Sequence, residues 1–447
     1  MDGEGLTSSY VESGDGASNF SGIKTPKING VSAPLVVRRA LGGPKPQYSF
    51  DTIHIDNVGQ SLFQRTTGGW HYFMDPVPAA FAWPRAIENP GQTDRGALVS
   101  TDGDITGTDA LGYTGDFPTM AFFDFLRQLM IEEDGVYPED RAIEMVTANN
   151  GYGSAPIGSF IKGSNSYNRW VGQLAAQQTM DVGKGRRMWA PCSHWGEGES
   201  EYEQPNADTT AYRDILYQIA VDRAQDVATQ FPGQPLPHRM LTYQTTARPP
   251  GASRYGVPRA IYQLCADYPE LFTMTTPFHF LDYSGDNTGI HVTSTSSAWF
   301  GAFGGLAFKR QYIDRVAWDV PTVSGTEVVG NTLYITYNPG RMAGPWVVDT
   351  DTIALQPGYG WTAVDENGDE KMIVDVWLCG DGHTIAIKSD STWVAGSEAR
   401  YMQSPAVGMG TYGGGAGNIR DTQGDHLVYH RINKPLHNWL PLHSVTV

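Results

Sequence analysis

From residue 51 to about residue 312, the chain alternates between runs typical of strands and runs typical of helices. Residues 51–58 carry branched apolar side chains in the pattern of a half-buried strand. The runs FPTMAFFDFLRQLMIEEDG and TTAYRDILYQIAVDRAQDVATQF instead repeat apolar residues at helical spacing. This β-α alternation predicts a three-layer α/β/α fold around a mostly parallel sheet. Ligands of such folds bind outside the carboxyl ends of the strands.

The pattern changes after about residue 315. Short β-type runs follow, separated by Gly, Asn and Asp: NTLYITYNP, WVVDTDTIAL, MIVDVWLC and HTIAIKS. They predict an antiparallel β domain. We therefore expect an N-terminal arm at 1–50, an α/β domain at 51–315 and a β domain at 316–447. The arm is rich in Gly, Ser, Asp and Pro, and either anchors the chain to a partner or is a disordered tail.

Composition excludes several functions. A chain of 447 residues with 11% aromatic and 18% charged residues can bury a large core. A net charge of −17 disfavours nucleic acid as a partner, because phosphate contacts need a basic surface. No apolar run is long enough to span a bilayer, and the N-terminus lacks the features of a secretory signal. We therefore expect no membrane partner and synthesis in a bacterial cytoplasm. Cys192, Cys265 and Cys379 form neither a metal nor a disulfide pattern.

Polar residues follow four of the predicted strands. A glycine turn and a serine follow the first, and a Gly/Ser-rich loop at 149–164 follows the second. Histidine and glutamates come near the end of the third, and aspartates and a histidine precede the last helix. These groups supply a nucleophile, a base, a carboxylate and oxyanion donors, which are the parts of serine-mediated acyl transfer. The candidates are Ser61, His194, Glu197, Glu199, Asp282, Asp286 and His291.

Each candidate also has a purely structural interpretation. Ser61 could cap a helix N-terminus, because its hydroxyl can accept a bond from an unpaired N–H. His291 could be a buried structural histidine, and the loop at 149–164 could be only a turn. The glutamates at 197–203 could form a solvated acidic face, which we prefer for Glu201 and Glu203. The position of His291, between an aspartate-containing turn and the last helix, favours the role of base. For Ser61, the resemblance described next favours the catalytic interpretation.

The four segments resemble, in order, the conserved blocks of SGNH-fold esterases in the branch related to sialate O-acetylesterases. Gly-Gln-Ser at 59–61 resembles the first block, and IGSFIKGSNSYNRW is similar to the second. GEGESE resembles the third block, and TGIHVTS resembles the Asp-x-x-His block. The resemblance covers roughly 250 residues. It implies a flavodoxin-like SGNH hydrolase domain.

Residue roles follow from this resemblance. It gives Ser61 the role of nucleophile and His291 that of general base. The backbone N–H groups of Ser61 and Gly153 would form the oxyanion hole. The third block is ambiguous because Gly-Glu occurs twice, at 196–197 and 198–199. Either His194 or Glu199 would complete the hole, and a glutamate could donate there only when protonated.

One position departs from the family pattern. The acid of the family stands three residues before the histidine, where this chain has Thr288. Asp286 stands five residues before His291 and is the candidate for the acid, on a loop two residues longer. Without the acid, a Ser-His dyad would retain reduced activity, because the acid mainly fixes the tautomer and orientation of the base.

The resemblance also implies a function. An enzyme of this branch would remove acetyl groups from a surface polysaccharide and needs no metal or organic cofactor. The C-terminal runs GNIRDTQGD and NWLPLHSVTV resemble the module that follows such esterases in phage tail and particle proteins. They imply a virion location, other virion proteins as partners and a homo-oligomer.

Two alternatives remain open. A non-catalytic glycan-binding adhesin on the same fold is favoured by Thr288. An intracellular bacterial esterase acting on small acetylated sugars is disfavoured by the arm and the β domain, because such an enzyme needs neither.

Overall fold

The structure of the chain is a computed structural model. It describes residues 27–28, 31–32, 51–59, 80–82, 99–100, 118–141, 143–150, 155–183, 185, 188–196, 209–232, 237–245, 255–282, 292–403 and 415–447. Two short strands, β1 (Lys27–Ile28) and β2 (Val31–Ser32), pair antiparallel within the predicted arm. Within these ranges, no helix combines the length and the apolar character that crossing a membrane requires.

Seven strands of the described residues form one sheet. They are β3 (Thr52–Gly59), β4 (Ala80–Ala82), β5 (Val99–Ser100), β6 (Glu144–Asn149), β7 (Met188–Gly196), β8 (Arg239–Gln244) and β9 (Phe272–Pro277). Their order in the sheet is β5-β4-β6-β3-β7-β8-β9. Every neighbouring pair is parallel except β4 and β5. The predicted mostly parallel sheet is confirmed, and β3 lies at its centre.

The central strand β3 is buried on both faces, as expected for a parallel strand covered by helices. Ile53 and Ile55 belong to the core on one face, and Val58 belongs to the core on the other. The strand ends at Gly59, whose φ of 138° is a conformation that other residues rarely adopt. The strand therefore ends two residues before Ser61.

Helices lie on both faces of this sheet. They are α1 (Pro118–Asp134), α2 (Asn165–Gly183), α3 (Thr209–Gln230), α4 (Gly256–Asp267) and α5 (Ser294–Phe308). α1 and α5 share the core that contains Ile53 and Ile55. α3 and α4 share the core that contains Val58, and α2 packs on α3 through Trp170 and Val227. The described chain thus has a mixed α/β architecture in this half.

Helices α1 and α5 approach each other closely. A Cβ atom at Gly301 of α5 would overlap the carbonyl oxygen of Pro118, and one at Gly305 would crowd the carbonyl oxygen of Phe122. Glycine disfavours helices by about 1 kcal/mol per residue relative to alanine. The run WFGAFGGLAF is nevertheless helical. Its glycines let α1 approach closely, and the packing against α1 compensates for their low helix propensity.

A π-helical turn, Lys309–Ile313, continues α5 and carries a buried ion-pair cluster. The fully buried Lys309 ammonium lies 3.0 Å from a carboxylate oxygen of Asp134. Arg310 Nη2 donates to Glu133 at 2.6 Å. Burial by itself raises the pKa of Glu133, but the two cations outweigh burial and hold this pKa below its ordinary value. The cluster ties the end of α5 to the end of α1.

The C-terminal half is rich in strands. They are β10 (Thr322–Val329), β11 (Thr332–Asn338), β12 (Val347–Val348), β13 (Trp361–Val364), β14 (Glu370–Lys371), β15 (Ile373–Leu378), β16 (Thr384–Ser389), β17 (Glu398–Tyr401), β18 (Ile419–Arg420), β19 (Val428–Tyr429), β20 (Lys434–Pro435) and β21 (His443–Thr446). Two four-stranded sheets have the orders β10-β11-β16-β15 and β14-β13-β17-β21, and all their pairs are antiparallel. Both sheets contribute to one core, so this half is a β-sandwich.

One predicted β run is shorter than expected. WVVDTDTIAL suggested a strand, but only Val347–Val348 pairs, with β18. The side chain of Asp349 accepts hydrogen bonds from the backbone N–H groups of Asp351 and Thr352, at 3.1 and 2.7 Å. This local turn replaces the strand ladder, as aspartate side chains commonly do.

The two halves of the chain share a buried core. Tyr429 and Trp439 from the C-terminal half belong to the same cluster as Phe125 of α1 and Phe280 after β9. Phe125 and Tyr429 meet edge to face, with ring centroids 5.3 Å apart. The sandwich is therefore packed onto the α/β half through apolar side chains, in addition to the chain connection near residue 315.

Candidate active site

The strands that precede the first three predicted functional segments end side by side, at the carboxyl ends of the parallel sheet. Asn57 near the end of β3 pairs in register with Asn149 of β6 and with His194 of β7. Gly59 at the end of β3 pairs with Gly196 at the end of β7. The three strands are parallel neighbours, so their carboxyl ends lie together. The first, second and third predicted blocks therefore begin at neighbouring strand ends. The carboxyl ends of the strands are where α/β folds of this kind bind their ligands.

The predicted catalytic side chains themselves lie outside the described residues. This holds for Ser61, Gly153, Glu199, Asp286 and His291, and for Thr288 at the expected acid position. Their roles and mutual distances therefore stay predictions. The backbone of His194 is described and lies within β7, opposite Asn57 and Leu241. His194 thus belongs to the strand itself, two residues before its end.

The start of α5 is described in detail. Thr293 is the N-cap of α5, and its Oγ1 accepts a hydrogen bond from the Ser296 N–H at 3.2 Å. The Thr293 N–H donates to the Asp282 carbonyl oxygen at 2.9 Å. Ser296 Oγ in turn accepts from the Asp282 N–H at 2.9 Å. The predicted closing helix is confirmed, and His291 precedes its cap by two residues.

A buried polar network lies beneath this edge, on the face of β3 covered by α2 and α3. The Asp56 carboxylate, 1% exposed, accepts from Asn150 Nδ2 at 2.5 Å and from the guanidinium of Arg223. Burial raises the pKa of Asp56, while the ion pair with Arg223 and the bond from Asn150 oppose that rise. The three side chains join β3, the end of β6 and the middle of α3.

Asn150 connects the central strand to the second predicted block. Its N–H donates to the Asn57 carbonyl oxygen at 2.7 Å, and its Nδ2 also donates to Gln173 Oε1 at 2.6 Å. Its own carbonyl oxygen accepts from Ser166 Oγ at 2.6 Å. Four hydrogen bonds therefore fix Asn150 immediately before the loop that contains Gly153. A site built on such fixed strand ends is held more rigidly than one on free loops.

Arg223 occupies the centre of this network. Its guanidinium carbon lies 4.3 Å from the ring centroid of Trp170, a side chain that is 1% exposed. This is a buried cation–π contact. His54 and His238 are also fully buried, and burial lowers the pKa of His54 to about 4. Both imidazoles are therefore neutral at neutral pH, and Arg223 is the cation opposite Asp56.

A second contact secures the other face of β3. Asn57 Nδ2 donates to Thr119 Oγ1 in the first turn of α1 and to Thr147 Oγ1 of β6, the latter at 3.3 Å. Asn57 is 2% exposed. One amide thus joins β3, β6 and the start of α1, two residues before the end of β3.

Sequence reasoning missed these supporting residues. Asp56 and Asn57 stand between the buried apolar residues Ile55 and Val58, and Arg223 lies mid-helix, four residues after Ile219 and four before Val227. Polar side chains in such positions are buried only when they are paired. The polar residues in this strand and this helix therefore indicate that buried polar pairs support the site. Among the described residues, no group of three or more His, Cys, Asp or Glu side chains is arranged to hold a metal ion.

Comparison with known proteins gives similarity in structure only. No protein-family model and no curated protein sequence matches this chain. The chain is similar to the crystal structure of XAC1771, a carbohydrate acetylesterase from Xanthomonas citri, with a TM-score of 0.55 and 12% sequence identity. The match covers 88% of this chain and 80% of that one. At this identity, the similarity shows a shared fold.

Two further structures match the chain over a smaller part. A protein from Arabidopsis thaliana has a TM-score of 0.42 at 14% identity, and covers 59% of this chain and 99% of its own. NanS has a TM-score of 0.39 at 12% identity, and covers 59% of this chain and all of its own.

Proposed function

We propose that the chain is a carbohydrate O-acetylesterase of the SGNH type. The observation that carries this proposal is the shared fold with XAC1771 over 88% of the chain, which includes both the α/β half and the β-sandwich. The resemblance of four sequence blocks to sialate O-acetylesterases agrees with it. The first three blocks also follow strands whose carboxyl ends are neighbours in the sheet.

The proposed mechanism is acyl transfer through serine. His291 removes the hydroxyl proton of Ser61 while the Ser61 oxygen attacks the acetyl carbonyl carbon. The N–H groups of Ser61 and Gly153, together with the side chain of His194 or a protonated Glu199, stabilise the oxyanion. The C–O bond to the sugar breaks, and His291 returns the proton to the sugar oxygen. Water activated by His291 then hydrolyses the acetyl-serine, which releases acetate and restores Ser61.

Asp286 would hold the imidazole of His291 in the required tautomer. Its segment leaves the described chain at Asp282 and returns at Val292, next to the cap of α5. A hydrogen bond between the Thr293 N–H and the Asp282 carbonyl oxygen joins the described residues on either side of this segment. This juxtaposition supports the proposal that Asp286 serves His291 from five residues away.

The test is acetate release from p-nitrophenyl acetate and from an acetylated polysaccharide. We expect Ser61→Ala to abolish turnover and Asp286→Asn to lower kcat by up to about 10⁴-fold, the effect of the equivalent change in a serine protease. Thr288→Ala should leave the rate unchanged if Asp286 is the acid. Ser324→Ala, on the exposed strand β10, is the matched control and should behave like the wild type.

Labelling with a fluorophosphonate separates the nucleophile from the substrate. We expect the wild type to take up one label at Ser61 and the Ser61→Ala variant to take up none. A wild type that neither hydrolyses any acetylated substrate nor reacts with the fluorophosphonate would refute the esterase proposal.

A second candidate function is glycan binding without turnover, which Thr288 at the usual acid position favours. Under this alternative, the chain would be a virion adhesin that uses the same edge of the sheet as a binding surface. An acetylated polysaccharide would then bind the wild type and the Ser61→Ala variant equally, and neither protein would release acetate.

We also propose a phage or phage-like particle as the setting, with other virion proteins as partners and a homo-oligomeric assembly. The resemblance of the runs at 417–425 and 438–447 to a phage particle module supports this setting. Light scattering after size-exclusion chromatography would test the oligomer, and a monomer at micromolar concentration would contradict it.

A further inference from the structure

A pocket of about 430 Å³ opens at the surface of the β-sandwich. It lies between residues 355–359 and residues 373–376 of β15, and we name it the sandwich pocket. Its volume is within the range of small-molecule sites, about 300–1,000 Å³. Every residue that lines it lies within the described range 292–403, and none of them is a candidate catalytic residue.

One wall of the sandwich pocket is formed by a turn, Pro357–Gly360, that holds a tyrosine in an unusual conformation. Tyr359 has a φ of 56°, in the left-handed region that residues other than glycine rarely adopt. Such backbone strain persists only where the surroundings impose it, and it is most often found at functional sites. The half-buried Tyr359 lines the pocket, so the strained backbone places an aromatic ring at this wall.

Buried contacts fix this turn. The N–H of Asn418, a residue that is fully buried, donates to the Tyr359 carbonyl oxygen at 3.1 Å. Asn418 Oδ1 accepts from the Gln356 N–H at 2.8 Å. A Cβ atom at Gly360 would lie 2.5 Å from the Ala416 carbonyl oxygen, so the turn packs directly on that segment. Tyr359 is therefore held in place without a ligand, which lowers the entropic cost of binding one.

The opposite wall carries a carboxylate. β15 is the edge strand of its sheet, and a β-bulge at Val374 interrupts its pairing with β16. The Val376 N–H donates to Asp375 Oδ1 at 2.9 Å. A carboxylate has about four acceptor positions, so that of Asp375 can accept further hydrogen bonds from a ligand in the pocket.

This arrangement disfavours a peptide as the occupant. An exposed edge strand pairs with an added strand through its outward N–H and C=O groups. In β15 the bulge breaks the regular spacing of these groups, and the Asp375 carboxylate occupies the Val376 N–H. A strand of another protein, or β15 of a second copy, would have to displace that bond. The sandwich pocket therefore suits a compact ligand better than an extended chain.

The lining combines apolar surface with a hydrogen-bond acceptor, which matches a sugar ring. Leu355 and Val374, on the two walls, are 57% and 54% exposed. A pyranose presents C–H groups on its faces and hydroxyl groups at its rim. The C–H face packs on an aromatic ring such as that of Tyr359, and the hydroxyls donate to a carboxylate such as that of Asp375. That carboxylate and the net charge of −17 disfavour a sugar acid.

We propose that the sandwich pocket binds one neutral pyranose unit of a glycan, with Tyr359 as the stacking surface and Asp375 as the hydroxyl acceptor. The choice of a sugar over other compact ligands rests in part on the proposed function, because such an enzyme acts on carbohydrate. The pocket gives the chain a second glycan site, which is separate from the candidate active site and independent of acetyl groups. Two sites on one chain increase the affinity for a polymer that reaches both.

The test follows the methyl NMR signals of Leu355, Val374 and Val376, which line the pocket, in the full chain. The probes are the methyl glycosides of glucose, galactose, mannose, xylose and N-acetylglucosamine, with glucuronic acid as the anionic counterpart. None of these probes carries an O-acetyl ester, so the result does not depend on turnover. The signal of Val329, exposed on β10, is the control for nonspecific shifts.

We expect at least one methyl glycoside to shift the three pocket signals with a saturable dependence on concentration, and glucuronic acid to bind more weakly. Tyr359→Gly should weaken binding at least about ten-fold, because it removes the stacking ring. Glycine adopts the φ of this position without strain, so the variant should fold, and its melting temperature checks this. Asp375→Asn should weaken binding several-fold.

Two exposed residues away from the pocket provide matched controls. Tyr137→Ala and Asp214→Asn, both in the α/β half, should bind the glycoside like the wild type. The inference would be overturned if no glycoside of the set shifted the pocket signals, or if Tyr359→Gly bound as tightly as Tyr137→Ala. If Tyr359→Gly does not fold, Asp375→Asn carries the test, and an unchanged affinity in that variant would overturn the inference.

Other occupants give different results. Pocket signals that shift when the chain is concentrated without sugar would identify a second copy as the occupant and overturn the proposal. Glucuronic acid that binds as tightly as the neutral glycosides would contradict the role of Asp375. A wild type that binds a glycoside in the sandwich pocket but releases no acetate would refute the esterase proposal alone.

Discussion

Gln244, the last residue of β8, exchanges two hydrogen bonds with the backbone of Leu442. Gln244 Nε2 donates to the Leu442 carbonyl oxygen at 2.8 Å, and the Leu442 N–H donates to Gln244 Oε1 at 2.7 Å. Nε2 also donates to the Pro258 carbonyl oxygen at 2.9 Å, and the side chain is 1% exposed. One amide thus joins the carboxyl end of β8, the start of α4 and the strand-rich half.

Replacing this amide should destabilise the whole chain. Gln244→Leu leaves the buried N–H and C=O groups of Leu442 without the Gln244 side chain as partner, and each such group costs about 1–3 kcal/mol. We expect a loss of about 3 kcal/mol or more in the free energy of unfolding, measured by urea denaturation. Gln218→Leu, on the exposed face of α3, removes only a surface bond to Asp222 and should change stability little. Equal effects of the two substitutions would contradict this role of Gln244.

The buried ion pair between Asp56 and Arg223 should affect the stability of the fold far more, when one partner is removed, than a surface ion pair does. Arg223→Met leaves the Asp56 carboxylate buried without its cation, which typically costs about 3–5 kcal/mol. Arg213→Met removes an exposed pair with Asp214 and should cost less than about 1 kcal/mol. The double variant Asp56→Asn with Arg223→Met should recover part of the loss, because no buried charge remains. A double variant less stable than Arg223→Met alone would contradict this account.

The Arg223→Met variant should also depend on pH in a defined direction. Burial already raises the pKa of Asp56, and removal of Arg223 removes the main influence that opposes this rise. A carboxyl whose pKa is higher in the folded state favours folding below its unfolded pKa, and that contribution is lost as pH rises. The loss of stability of Arg223→Met relative to the wild type should therefore be smaller near pH 4 than at pH 8. Thermal unfolding across this range would measure it.

Glu133 should make the wild type sensitive to acid. Its pKa is held below the ordinary value, so its contribution to stability is present above the unfolded pKa of about 4.3 and is lost as pH falls through the lower folded pKa. Glu133→Gln should be less stable than the wild type at pH 7 and should lose less stability between pH 5 and 2. The melting temperature as a function of pH measures both effects. Glu327→Gln, on exposed β10, should follow the wild-type curve.

The contact between α1 and α5 should not tolerate a side chain at Gly301. Gly301→Ala would place a methyl group on the carbonyl oxygen of Pro118, so the two helices must separate. Such overpacking typically costs about 1–3 kcal/mol, although alanine favours a helix. Gly325→Ala, where nothing lies within 4 Å of the added Cβ, is the control. A Gly301→Ala variant as stable as the wild type would show that the helices can move apart freely.

Much of the fold could be predicted because it depends on local pattern. The long helices α1 and α3 and the buried strand β3 repeat apolar residues at spacings that identify them. The sequence predicts a helix over 295–313 despite its glycines, the structure has α5 at 294–308, and packing on α1 explains why the glycines are tolerated. The strand expected at WVVDTDTIAL was too long, because Asp349 bonds to the backbone of its own turn instead of leaving that backbone to a sheet.

The support of the candidate site depends on pairs that sequence reasoning could not find. Asp56 and Arg223 are 167 residues apart, and Phe280 and Trp439 belong to halves that were predicted as separate domains. Nothing local tells a buried arginine which carboxylate it will meet. Ser61, Gly153, Glu199, Asp286 and His291 were chosen from block order and lie outside the described residues, so their roles stay predictions.

The core that the two halves share affects how the chain folds during its synthesis. Trp439 and Pro435 leave the ribosome long after Phe280 and Trp299, so the aromatic surface of the nascent α/β half is exposed until residues 435–439 have been synthesised. Contacts this distant along the chain slow folding, and apolar surface exposed meanwhile favours aggregation. We therefore expect translation arrested before Leu427 to yield a chain that binds chaperones and reaches its native fold only when residues 427–447 are supplied.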